Sequence, residues 1–117
     1  MTLKPLRLDA EGPLLATPAD FSQLIGAAWG REVDAVVIPT SRLHPDFFSL
    51  STRLAGEALQ KLTQHGLMLV VLGDVSVHLE KSQSLRDFVH EANRGRHARF
   101  VASEAALAQL LAGEKTP

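Results

Sequence analysis

Apolar positions along this chain switch between a strand-like and a helix-like period, and the switches divide it into successive elements. Leu3 to Leu8 and Pro13 to Ala16 flank Asp9-Ala10-Glu11-Gly12, turn residues that predict an N-terminal hairpin or sharp bend between short strands. Pro5 favours an edge position for the first of them. Thr17-Pro18-Ala19-Asp20 supplies an N-cap, a proline at the first helical position and an acid at the third. Phe21, Leu24, Ile25, Ala28 and Trp29 then recur at helical spacing before Gly30. Ala35 to Ile38 is a β-branched apolar run stopped by Pro39, which predicts a buried strand, with a loop from Thr40 to Asp46 behind it.

The next helix, about Arg53 to His65, places Leu54, Ala55, Ala58, Leu59 and Leu62 on one face and Glu57, Gln60, Lys61 and Gln64 on another. Ser51 or Thr52 is the expected N-cap and Gly66 the stop. Leu67 to Leu72 is apolar on both pleat faces, as a central strand covered on both sides must be, and Gly73-Asp74 ends it. A helix of about Ser84 to Asn93 buries Leu85, Phe88, Val89 and Ala92, with Ser84 and Asp87 in capping-box spacing and Gly95 as its end. Arg99 to Ala102 predicts a last strand, and Ser103 caps a helix through Ala106, Leu107, Leu110 and Leu111. The order ββαβαβαβα predicts a single α/β domain over residues 1–112, built on one mostly parallel sheet with an N-terminal antiparallel strand or hairpin. Residues 113–117 are expected to fray.

Composition narrows the partners. The chain has 117 residues, 45% of them apolar, enough for one packed core. Its 12 basic and 13 acidic side chains leave a net charge of −1, so no global field draws it to nucleic acid or to an anionic membrane, and neither is expected as a partner. Cysteine is absent, which excludes a disulfide framework and a thiolate nucleophile and fits a reducing cytoplasm. Nothing predicts export or a membrane anchor, since the longest apolar run falls far short of roughly 20 residues.

Candidate chemistry concentrates where strands end. Asp74, with Ser76, Ser84 and Arg86, makes a candidate ligand or loop-organising site at the carboxyl end of the central strand. Ser51 and Thr52 are candidate phosphorylation sites, because a phosphate there would meet free backbone N–H groups at a helix start. The basic segment His90 to Arg99 reads as a helix C-terminus complemented by cations rather than a nucleic-acid surface. No dinucleotide fingerprint, P-loop, nucleophile elbow or metal-ligand spacing occurs, so no cofactor, metal or catalytic residue is expected.

Three spaced blocks carry a family resemblance: Phe47-Phe48-Ser49-Leu50-Ser51-Thr52-Arg53-Leu54-Ala55-Gly56-Glu57-Ala58-Leu59-Gln60-Lys61, then Leu72-Gly73-Asp74, then Leu85-Arg86-Asp87-Phe88-Val89-His90-Glu91-Ala92-Asn93-Arg94-Gly95. They resemble an uncharacterised, mainly bacterial family of domains of unknown function that itself looks like a relative of the STAS domains. Where family members commonly carry Ser before the Asn, this chain has Ala92, and Pro39-Thr40-Ser41 lacks the acidic residue usual in regulatory STAS domains. The resemblance implies a cytoplasmic, STAS-like module for protein interaction or regulation rather than an enzyme. Its implied interface residues are Phe47, Phe48, Glu57, Gln60, Lys61, Glu91 and Asn93, facing a protein partner or a second copy in a homodimer. A small-molecule or anion-binding domain, conceivably an enzyme, that uses the loops around Asp74 and Arg86 is the alternative.

Overall fold

The structure, a computed structural model, describes residues 3–113. Strands β1 (Pro5–Arg7), β2 (Ala35–Pro39), β3 (Met68–Leu72) and β4 (Ala98–Val101) form a four-stranded sheet in the order β1-β2-β3-β4, with every pairing parallel. Right-handed crossovers between strands laid down in sequence must return on one side of the sheet. That side carries α1 (Pro18–Ala28), α2 (Leu54–Gln64), the short α3 (Ser76–Lys81) and α4 (Gln83–Arg94). Only α5 (Glu104–Leu111), which follows the last strand, turns to the opposite face.

This layering explains the apolar runs. Val36, Ile38, Leu69 and Val71 pack with Phe21, Leu54, Leu62 and Leu85 in the larger core, while Ala35, Val37 and Val70 pack beneath Leu107 on the other side. Both pleat faces of β2 and β3 are therefore buried, as their uninterrupted hydrophobicity predicts. The predicted cap of α1 forms completely. The Thr17 hydroxyl accepts from Asp20 N–H, and Asp20 Oδ2 accepts from the N–H groups of Ala16 and Thr17 at 2.8 and 2.9 Å.

The expected N-terminal hairpin is not formed. β1 pairs parallel with β2, Leu6 opposite Val36, and Pro13 to Ala16 makes only an isolated parallel bridge, Leu15 opposite Leu43. The cause is long-range. Arg42 donates to the carbonyls of Pro13 and Asp9 at 2.8 and 3.0 Å, and the Ser41 hydroxyl donates to Ala10 O. These bonds hold the 9–13 loop at the carboxyl end of β2 and let Leu15 bury itself beside Leu43. Trp29 also departs from expectation: it is the C-cap of α1 and 80% exposed instead of core.

Both sheet edges are blunted against further pairing. Pro5 on β1 has no N–H to offer. On β4, Asn93 Oδ1 accepts the outward Phe100 N–H at 2.8 Å. The fraying expected at 113–117 falls, from residue 114 on, outside the described residues. No helix among the described residues is long and apolar enough to cross a membrane.

Candidate functional site

Open α/β sheets bind ligands where the strand order reverses, and this sheet, ordered β1 to β4, has no reversal. A site at its carboxyl ends must be built by the loops themselves. The connection after β2 folds into successive 3-10 turns, Thr40–Arg42, Pro45–Phe48 and Leu50–Thr52. Proline starts the middle turn and His44 Nδ1 caps it, accepting Asp46 N–H at 3.0 Å. Phe47 consequently drives inward, 1% exposed, with its ring 6.2 Å from that of Phe21. Phe48 meets Phe47 edge-on at 5.3 Å and stacks flat on His78, centroids 4.1 Å apart and planes 8° from parallel.

Thr52 shares its hydroxyl proton between the carbonyls of Asp46 and Ser49, at 2.6 and 2.8 Å, and accepts Leu54 N–H at 3.3 Å. The hydroxyl thus holds the loop together. The N-cap of α2 is neither Ser51 nor Thr52 but Arg53, held in the left-handed region at φ 66° without a side-chain cap. Ser51 stays exposed, its hydroxyl 3.4 Å from that of Ser49.

The facing wall comes from the connection after β3. Gly73 leaves the strand at φ +136°, and a Cβ there would lie 2.6 Å from Thr40 Oγ1, so glycine is what lets the ends of β2 and β3 come so close. Asp74 Oδ1 accepts Ser76 N–H at 2.9 Å. That backbone bond, then the Ser76 hydroxyl, holds the Asp74 carboxyl below its ordinary range. The bond also starts α3, a helix within a segment expected to be loop. Arg86 joins α3 to α4 by donating to Leu79 O and to Gln83 Oε1, both at 2.6 Å, and Ser82 caps α4 by accepting Leu85 N–H at 3.1 Å.

Between the walls lies an open cleft of about 440 Å³, lined on one side by Phe48, Ser49 and Ser51 and on the other by His78, Lys81 and Ser84. Its only titratable lining residues are His78 and Lys81, and no carboxylate is among them. The cleft can therefore offer hydroxyls, a flat aromatic pair and positive charge to an anionic group.

The predicted site residues divide accordingly. Ser51 and Ser84 reach the cleft, whereas Asp74, Ser76 and Arg86 spend their polar groups on starting and joining α3 and α4. Of the predicted interface residues, Phe47 is core and Phe48 lines the cleft. Glu57 and Gln60 stand exposed on α2, with Lys61 partly covered. Glu91 faces Arg94 at 3.8 Å, and Asn93 covers the β4 edge. Among the described residues no group of three or more His, Asp or Glu could hold a metal. The titratable cleft residues that sequence reasoning missed, His78 and Lys81, share no local motif. The one readable hint was the Val75 and Leu79 pair at helical spacing.

A sequence model of a family described as Domain of unknown function (DUF4180) matches residues 2–111. No curated protein and no solved structure matches the chain.

Proposed function

The chain belongs to the DUF4180 family, and on that premise we propose that it is a STAS-like regulatory domain that captures a protein partner at the carboxyl end of its sheet. The cleft carries this reading: the flat Phe48–His78 stack beside Lys81, with Ser49, Ser51 and Ser84 around it and no acid in the lining. A partner segment bearing a carboxylate or phosphate would find hydrogen-bond donors and positive charge there, and an aromatic surface for its apolar part. Small parallel strand-helix architecture supports the STAS-like assignment, and the lack of cysteine supports a cytoplasmic setting. Ser51 gives the same cleft a means of regulation, since phosphorylation there would add negative charge across from Lys81 and compete with the partner's acid.

Affinity capture from host lysate tests this with wild type, Lys81→Glu and Ser51→Glu as baits. A protein held by wild type and lost by both variants supports partner capture at the cleft. A specific protein retained by both variants places binding elsewhere, and capture of nothing by wild type removes the proposal.

A small anionic ligand is the second reading, favoured by Lys81 beside the Ser82 and Ser84 hydroxyls. It predicts a ligand-dependent rise in melting temperature that Lys81→Glu abolishes.

A further inference from the structure

At the amino ends of β2 and β3, the segments that lead into these strands meet the ends of α1 and α2 around a second cleft of about 600 Å³. Part of its lining is apolar, with Ile25, Ala28 and Leu67 buried and Val33 partly so. Trp29 adds a flat indole that is 80% exposed. The polar side chains of the lining are Arg31, Gln64 and His65, and no carboxylate is among them. Glu32, next to Arg31 in the chain, lies outside the lining and faces Lys4 Nζ at 3.8 Å. Because the His65 Nδ1 lies 2.9 Å from the Lys61 carbonyl, which can only accept, Nδ1 carries a proton and Nε2 is the free polar atom of the ring. Arg31 therefore holds the one permanent charge of the cleft.

We propose that this cleft binds a small aromatic monocarboxylate, its ring against the Trp29 indole and the apolar lining, its carboxylate on Arg31 with the Gln64 amide as a further donor. The volume lies within the roughly 300–1,000 Å³ of small-molecule sites, and an apolar surface with a few polar groups is their usual lining. Charge selects the ligand's sign. Two helices end here, and their last carbonyls could instead have served a cation, but most are taken. Gly26 and Ala28 accept the N–H groups of Trp29 and Arg31, Leu62 accepts those of His65 and Leu67, Thr63 that of Gly66, and Lys61 the His65 ring. The planar guanidinium matches a carboxylate with two parallel hydrogen bonds, and one cation balances one negative charge, whereas a dianion would leave a charge unpaired beside apolar surface. An exposed indole face favours an aromatic body, since ring pairs gain from stacking beyond the area they bury. The cleft lies at the opposite end of the strands from Phe48 and His78, so the proposal stands or falls independently of what the carboxyl-end cleft binds.

Trp29 is the only tryptophan of the chain, so its emission reports on this cleft. The probes are phenylpropionate, its alcohol and amine counterparts phenylpropanol and phenylpropylamine, and cyclohexylpropionate. Each is titrated into wild type, Arg31→Gln, Arg31→Glu and Lys81→Glu, with emission and melting temperature followed together. The expected result is a saturable change in emission with phenylpropionate, which binds roughly tenfold tighter than phenylpropanol and also tighter than cyclohexylpropionate. Arg31→Gln should remove the acid's advantage over the alcohol, and Arg31→Glu should transfer it to the amine. Lys81→Glu, altered in the other cleft, should leave every titration unchanged. Arg31 and Lys81 are exposed, so the variants should keep the circular dichroism of wild type. No saturable change with any probe, an alcohol or cyclohexyl acid bound as tightly as phenylpropionate, an acid advantage that survives Arg31→Gln, or one that is lost in Lys81→Glu would each overturn the proposal.

Discussion

The rings of Phe48 and His78 lie face to face, 4.1 Å between centroids and 8° from parallel, joining the loop after β2 to the helix after β3. The stack adds to the Asp74–Ser76 and Arg86–Leu79 bonds in holding α3, which runs from Ser76 to Lys81 and whose N-cap residue, Val75, supplies no side-chain bond. The stack therefore shapes the cleft as well as lining it.

His78→Ala should cost about 1 kcal/mol of global stability, the scale of an aromatic pair beyond its area burial. Hydrogen exchange should show the larger effect locally, with protection of residues 76–81 lost while β2 and β3 keep theirs. His78→Phe should retain both. Unchanged protection in His78→Ala would mean that α3 is held by Asp74 and Arg86 instead.

Gly73→Ala should destabilise by about 2–3 kcal/mol, since it combines a left-handed backbone with a close steric approach. The added methyl would sit 2.6 Å from Thr40 Oγ1 and 3.0 Å from its Cγ2. Trimming Thr40 to Ala relieves the steric part and leaves the backbone part, so a double-mutant cycle in urea should give a favourable coupling of about 1 kcal/mol. Simple additivity would show that Thr40 moves aside at no cost.

Asn93→Ala should lower stability by about 1 kcal/mol by uncapping the Phe100 N–H, and should increase aggregation on heating because the β4 edge becomes available for pairing. Asn93→Asp keeps the acceptor and should behave like wild type in light scattering. If Asn93→Ala is as soluble as wild type, the edge is guarded by something else.

Acid should weaken the protein through two caps. Asp20 is held below its ordinary value of 3.8 mainly by the Ala16 N–H and then the Thr17 N–H, and Asp74 is held below the same value by Ser76. Both carboxyls bind protons more readily when unfolded, so their contribution is complete above the unfolded value and is lost as pH falls through the folded one. The melting-temperature gap between wild type and Asp20→Asn should accordingly narrow from neutral pH to about pH 2. A gap that does not change with pH would remove Asp20 as the source.

Much of the fold was legible because local and global preferences agree. The Thr17–Asp20 box starts α1 where the sequence places it, and the runs Ala35 to Ile38 and Leu67 to Leu72 predict strands covered on both sides. The failures come from partners distant in the chain. Pro13 to Ala16 looks like a strand, but its pairing is decided by Arg42 and Leu43. Arg53 at φ 66° carries no sequence mark, so Ser51 and Thr52 looked like better caps than they are. Trp29 continues the helical spacing of Phe21 and Ile25, yet α1 ends one residue before it and leaves it outside. The cleft is the least legible feature, because Phe48 and His78 meet only once the ends of β2 and β3 are side by side.

The central claim is that a partner binds at the carboxyl-end cleft, and a hydrogen-exchange footprint of the captured partner bound to the intact protein tests it most directly. The account predicts added protection at residues 48–51 and 78–84, absent when the same partner is mixed with Lys81→Glu. Protection confined to the outer face of α2 around Glu57 and Gln60, or to the Trp29 end of the sheet, would contradict it.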